Sequence, residues 1–350
     1  MNKKKSGIKR ILIFTAVGLF IVALIVGWNI YSMVLVPNIQ LQNNATEDLY
    51  IPTGAGFSVV LDSLKSRNLL RDVESFEWVA DRMNYIERVK PGKYLLKSGM
   101  NNKELVTMLR SGKQVPVKVT FNNLRTLEQF AGRVSKLIEA DSASVVAVFQ
   151  NDSLLQKNNL NIYNSVSILI PNTYEMYWNT SSEKLYERMN KEFHRFWNEK
   201  RNTRLKEIQL NQQEVMVIAS IVEQETRRDS EKPVVAGVYV NRYKNGWKLE
   251  ADPTLIFALG DFKIRRVLNE HKEVESLYNT YRNTGLPPGP ICIPGIASID
   301  AVLNYVPHEY FYFCAKDDFS GYHAFAKSYE DHLLNAKRFH RALSQRGIMK

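Results

Sequence analysis

The sequence predicts an α+β protein: an N-terminal transmembrane helix, a small α/β unit, and a larger α+β domain. Three observations carry this. An apolar run of about 20 residues follows a basic N-terminus, long enough to cross a bilayer. Helix and strand patterns then alternate without the regular rhythm of βαβ units, which points away from a doubly wound parallel sheet. The chain's 350 residues suffice for one large or two modest cores. A hydrophobic share of 45% and a charged share of 24% are those of a folded protein. No low-complexity tract or short repeat supports a disordered or solenoid reading.

The first ten residues hold Lys3, Lys4, Lys5, Lys9 and Arg10 and no acid. Ile11 to Trp28 is apolar, and no charged residue follows Arg10 until Glu47. Lys and Arg ahead of an apolar segment favour that end remaining in the cytoplasm. Residues 1–10 are therefore expected as a cytoplasmic tail, 11–33 as the transmembrane helix, and 34–48 as a polar stalk. Trp28 and Tyr31 fall at the level of an interfacial aromatic belt. A cleaved signal peptide is the competing reading, but the run exceeds a usual signal core and lacks a small-x-small cleavage site. Removing the five tail charges from the formal net charge of +11 leaves +6 for the remainder. Such an excess suits an anionic partner. Outside the membrane that partner is not nucleic acid.

The small unit is expected over 49–115. It comprises a strand at Leu49–Ile51, helices at 58–66 and 74–83, and a turn into a strand at Lys90–Leu96. A helix capped by Asn101 and Glu104 and stopped by Gly112 follows. The larger domain, 116–350, opens on an alternating strand at Val115–Phe121. Helices are expected at 126–138, 142–150, 181–200, 211–227 and 328–345. Pro171–Tyr174 interrupts the pattern, and short elements divided by Pro and Gly fill the rest.

No His-Glu-x-x-His, paired Cys-x-x-Cys, Gly-x-Ser-x-Gly or phosphate-loop pattern is present, so neither metal nor cofactor is expected. Cys292 and Cys314 would either pair in an oxidising compartment or remain two half-buried thiols. Carboxylate chemistry is the enzymatic option left. In Asn211–Thr226, residues Ile218, Ile221, Val222 and Glu225 share one helical stripe, whereas Glu223 points about 200° around with Met216, Ala219 and Ser220. An acid prolonging an apolar stripe is desolvated, which raises its pKa toward that of a general acid. It can equally end the helix and pair with Arg227 or Arg228.

Ala219-Ser-Ile-Val-Glu-Gln-Glu-Thr226 closely resembles the signature helix of the MltG/YceG-like endolytic murein transglycosylases. The likeness continues through Val238–Arg242, Leu249–Thr254, Tyr278–Tyr281, Gly285–Pro290, Pro294-Gly295 and His323–Phe325. It implies a LysM-like subdomain over 49–115 and a YceG-like catalytic domain over 116–350. The implied reaction cleaves the glycosidic bond after MurNAc without water, the MurNAc 6-hydroxyl closing a 1,6-anhydro end, and such cuts are expected to terminate strand elongation. One carboxyl serves as acid and then base, and the internal nucleophile has a high effective molarity. The family's catalytic glutamate falls on Glu225, with Glu223 as fallback or substrate contact. Asn241, Asp252, Thr254, Tyr278, Asn279, Tyr281 and His323 match positions lining the cleft, where they would bind sugar or hold loops. The run Ser165–Tyr174 departs from the family: it lacks an acid and a glycine and carries Asn172 for Asp. Ala251 and Ile293 replace a frequent Thr and Asn.

The implied partners are peptidoglycan strands, the membrane through the N-terminal helix, and peptidoglycan synthases with divisome or elongasome proteins. The implied location is the bacterial cytoplasmic (inner) membrane, single-pass, with the catalytic domain extracytoplasmic (periplasmic where an outer membrane exists). A non-catalytic peptidoglycan-binding scaffold and a muramidase-type hydrolase are the alternatives. A pyridoxal-phosphate lyase, a label some relatives have carried, fits poorly with an external domain.

Overall fold

A computed structural model describes residues 2–41 and 45–347. The described chain mixes α and β and divides into two compact units. One comprises Met1–Val117 with Glu175–Thr180, the other Lys118–Tyr174 with Ser181–Lys350.

The first unit begins with helix α1 (Asn2–Leu35), so the expected basic tail is helical from Asn2. Its stretch Lys9–Leu35, 27 residues with none buried, is long and apolar enough to cross a membrane. Strand β1 (Thr46–Ile51), helices α2 (Phe57–Ser66) and α3 (Val73–Arg82), strand β2 (Gly92–Lys97) and helix α4 (Asn102–Ser111) follow. β1 and β2 run antiparallel from Thr46↔Lys97 to Ile51↔Gly92. Alternation puts Leu49 and Ile51, with Tyr94 and Leu96, on the buried face. There they meet Phe76, Leu105 and Leu109 of the helices. The cap expected for α4 is present: Asn101 Oδ1 accepts from Glu104 N at 2.9 Å, Glu104 Oε2 accepts from Asn101 N at 3.1 Å, and Gly112 is left-handed at φ 75°.

The stalk expected over 34–48 needs correction. Val34 and Leu35 still belong to α1, and Thr46 already belongs to β1. Between them Asn38 N and Ile39 N both donate to Met100 O, at 2.9 and 3.0 Å. Asn38 is buried, its side chain donating to Asp72 O and Asn102 Oδ1, each at 2.7 Å. Asn102 Nδ2 in turn donates to Met33 O at 2.9 Å. Asn38 and Ile39 of the expected stalk are thus buried and hydrogen-bonded into the small unit, the pairing that buried amides require, while Pro37, Gln40 and Ala45 stay exposed. Residues 42–44 of the stalk lie outside the described residues.

The second unit is mainly helical. Strand β3 (Val117–Phe121) pairs with β4 (Asn172–Met176), so the Pro-Asn-Thr-Tyr run enters a strand. Between them lie α5 (Leu127–Val134), α6 (Ser142–Phe149) and the single turn α7 (Asp152–Gln156). The single helix expected at 181–200 is two: α8 (Ser182–Phe196) and α9 (Glu199–Ile208). Asn198 breaks it by accepting from Arg201 N at 3.1 Å, a side-chain cap that starts a new helix. Next come α10 (Gln212–Glu225), α11 (Lys232–Lys244), α12 (Asp252–Leu259) and α13 (Ile296–Leu303). The hairpin β5 (Tyr312–Ala315) and β6 (His323–Ala326) and helix α14 (Tyr329–Gln345) close the unit. Every residue from Val215 to Val222 in α10 is buried, and α11, α12 and α13 pack around it.

The Gly285–Pro290 run shapes a loop by two means. Gly285 takes φ +83°, a left-handed conformation that costs glycine little. At Gly289 a Cβ would stand 1.9 Å from Tyr163 O, so only a hydrogen allows that backbone approach. Gly289→Ala is therefore expected to cost about 3 kcal/mol, since backbone cannot move aside as a side-chain end would. A thermal melt of the variant checks it, and an unchanged midpoint would contradict the contact.

Candidate active site

α10 delivers Glu225 at its last residue. The chain leaves the helix there because Thr226 is extended, at φ −139° and ψ 138°, with its hydroxyl donating to Glu231 Oε2 at 3.1 Å. Tyr239, on α11, donates its hydroxyl to Glu225 Oε1 at 2.6 Å. Burial raises the Glu225 carboxyl to about 7, and the Tyr239 hydrogen bond pulls the other way. Asp252 adds a further push up and Arg242 a pull down. The side chain still reaches the surface, so it is a partly protonated acid open to a ligand near neutral pH. Burial, and then the same carboxyl, drives the Tyr239 phenol far above its usual range, keeping it a donor.

Glu225 opens on two cavities. One, of about 290 Å³, is lined with Tyr239, Arg242, Asp252, Tyr281 and Tyr312. Tyr281 donates to Asp252 Oδ1 at 2.6 Å, which orients that carboxylate. Arg242 is buried and ties the wall together. Its Nε donates to Phe311 O at 2.7 Å, and its Nη1 to Leu249 O at 2.9 Å and Glu250 Oε2 at 3.0 Å. His332 also lines this cavity, its pKa lowered by burial and by Arg242. The other cavity, of about 640 Å³, is lined by Arg227, Arg228, Lys316, Tyr322 and His323. His323 Nδ1 lies 2.8 Å from Oε2 of Glu231, which is buried and also accepts from His323 N at 2.6 Å.

The residues singled out in the sequence thus separate. Glu225, Asp252 and Tyr281 share one cavity, and His323 joins Glu225 in the other. Glu223 instead faces a third cavity with Arg125 and Lys232, and accepts from Ser298 Oγ and, at 3.3 Å, from Lys232 Nζ. Of the two roles expected for Thr254 and Asn279, sugar contact or loop holding, their full burial fits the second. Thr254 Oγ1 donates to Ala251 O at 2.7 Å, and Asn279 Nδ2 to Lys272 O and Val274 O, each at 2.8 Å. Asn241 Nδ2 likewise donates to His308 O at 2.8 Å and Tyr310 O at 3.1 Å. Tyr278 packs on Phe257, ring centroids 4.7 Å apart, with its phenol pushed up to about 12 by burial. Tyr239, Arg242 and Glu231 were not singled out. Tyr239 and Arg242 stand one helical turn apart in the Val238–Arg242 run, which placed them on one face of α11 beside Glu225. Nothing local marks Glu231.

Both cysteines are free, Cys292 buried with its thiol pushed up to about 12 by that burial. Among the described residues no cluster of three or more His, Cys, Asp or Glu could hold a metal ion.

The α+β unit thus presents one desolvated, tyrosine-held glutamate between two cavities. Residues 49–338 match the model of the YceG-like family, and the chain belongs to that family. It is 27% identical over 319 residues to the endolytic murein transglycosylase of Bacillus subtilis, covering 87% of each chain. The endolytic murein transglycosylase of Streptococcus pneumoniae is 28% identical over 315 residues, 81% of this chain but only 57% of that longer relative. A crystal structure of a yceG-like protein from Listeria monocytogenes is similar with a TM-score of 0.56 and 26% identity, covering 83% of this chain and 98% of that one.

Proposed function

We propose that this chain is a membrane-anchored endolytic peptidoglycan transglycosylase in which Glu225 is the acid. What carries the reading is a carboxyl that keeps its proton to about pH 7 at the meeting point of two cavities. Glu225 donates that proton to the glycosidic oxygen as the bond to C1 of MurNAc breaks. The resulting carboxylate takes the proton of the MurNAc 6-hydroxyl, whose oxygen bonds to C1 and closes a 1,6-anhydro end. No water is consumed, and the carboxyl is protonated again for the next cut. Tyr239 keeps the carboxyl oriented throughout. The α1 span anchors the protein in the cytoplasmic membrane with the catalytic unit outside, where its cuts end the growth of nascent strands. The small unit, LysM-like in this reading, contacts glycan.

Asp252 gives a second reading specific support. A second carboxylate in the Glu225 cavity is what a hydrolase needs to activate water. Digestion of uncrosslinked strands by the full chain in detergent, with products read by mass spectrometry, decides. Anhydro-muramyl ends are expected. Reducing ends would replace the transglycosylase by a muramidase, and no products from folded protein would leave a binding scaffold.

Tyr239→Phe removes the hydrogen bond that holds the Glu225 pKa down. The alkaline limb of the pH–rate profile is expected to move up by about one unit, with about a tenfold loss of kcat from a less oriented acid. A limb that stays put would disprove the role of Tyr239.

A further inference from the structure

We propose that the cavity beside the β5–β6 hairpin is a subsite for the carboxylates of the stem peptide, so that the peptide-bearing sugar lies on that side of Glu225. This rests on the strand-cleaving reading. The two cavities that meet at Glu225 differ in charge. On the Tyr239 side the carboxylates of Glu250 and Asp252 contribute to the wall, and the Arg242 guanidinium is occupied by Glu250 and by backbone carbonyls. That wall, rich in tyrosine, suits an uncharged sugar ring, which stacks on aromatic faces and bonds through its hydroxyls.

On the hairpin side Arg227, Arg228 and Lys316 line the cavity, and among the described residues Glu225 is the only acid lining it. Among the described residues none of the three cations makes an ion-pair contact. Two of them are held in place, Lys316 also interacting with the exposed carboxylate of Asp318. Arg228 Nη2 donates to Ser320 O at 2.8 Å, and its guanidinium lies over the Tyr322 ring at 5.3 Å. Lys316 Nζ lies 5.9 Å from the same ring. Asp317 and Asp318, next in sequence, do not line the cavity, and Asp318 accepts from Ser320 N at 2.9 Å. Cations pre-set by a shared ring, with spare N–H groups facing one space, form a receptor for carboxylate. A cavity of about 640 Å³ has room for a short peptide beside the sugar.

The test uses full-length Glu225→Gln in detergent, which binds without cutting. Two soluble glycan fragments of equal length are titrated, one bearing stem peptides and one stripped of them by an amidase, with the lactyl carboxylates so exposed then capped as amides. The peptide-bearing fragment is expected to bind about tenfold tighter, with the preference shrinking as salt rises. Adding Arg228→Gln and Lys316→Gln should bring the ratio near one, and Arg228→Lys should keep part of it. Equal binding, absent binding, or a ratio that survives the double change overturns the subsite. Wild-type protein is digested in parallel. Cutting without a binding preference sinks the subsite alone, and a preference without cutting sinks the strand-cleaving reading alone.

Discussion

Glu225→Gln is expected to lose strand cleavage by about a thousandfold or more and, above neutral pH, to be more thermally stable than wild type. The first half follows from the chemistry, because an amide has no proton to give the leaving oxygen and cannot accept one afterwards. The second half follows from linkage. The folded-state pKa of Glu225 is raised from 4.5 to about 7, so the folded protein binds more protons than the unfolded chain between those values. Stability contributed by the protonated form is present in full below the unfolded pKa. It is lost as pH rises through the folded pKa. Gln resembles the neutral acid, keeps an oxygen for the Tyr239 hydroxyl, and carries no such penalty. At about pH 8 the variant should gain up to about 3 kcal/mol, a few degrees of melting temperature, and at about pH 4 almost nothing. Melting curves at the two pH values check this. Equal gains at both would mean that the carboxyl is not desolvated.

Arg242→Met is expected to cost about 4 kcal/mol, the largest stability loss among the changes considered. Met preserves the apolar stem but removes every donor. Phe311 O, Lys248 O and Leu249 O, bonded at 2.7, 3.2 and 2.9 Å, lose their partner in a half-closed wall where water replaces it poorly. Glu250 is solvated enough to stand alone, so the cost lies with the carbonyls. Arg242→Lys should recover little, because a single ammonium cannot span acceptors placed on either side of a planar guanidinium. A shift in the chemical denaturation midpoint measures both changes. A near-normal Lys variant would show that charge, and not geometry, is what the site uses. Loss of Arg242 should also raise the Glu225 pKa further, since that cation pulls it down.

The local elements were largely legible because their signals are short-range. The Asn101/Glu104 and Asn211/Glu214 capping boxes, the Gly112 stop and the apolar N-terminal span are each written within a few residues. The failures are tertiary. Asn38 reads as linker but is buried by partners 34 and 64 residues away. Asn198 sits inside a helical pattern yet caps a new helix. The apolar stripe does not by itself single out Glu225, because α10 is buried on every face from Val215 to Val222 and Glu223 prolongs an equally buried one. What separates the two acids is their partners, a phenol for Glu225 and a lysine and a hydroxyl for Glu223, and no spacing reveals those. The family likeness carried Asn241, Thr254 and Asn279 as cleft residues. Motif identity does not distinguish a side chain that touches ligand from one that holds the loop beside it.

The claim on which the rest depends is that Glu225 holds a proton near neutrality. The direct measurement is NMR titration of side-chain carboxyl carbons from about pH 4 to about pH 9, the Glu225 signal identified by its absence in Glu225→Gln. A midpoint near 7 is the predicted result. A midpoint in the ordinary glutamate range, about 4 to 5, would contradict the account, because an acid already ionised at neutral pH has no proton to give the leaving oxygen.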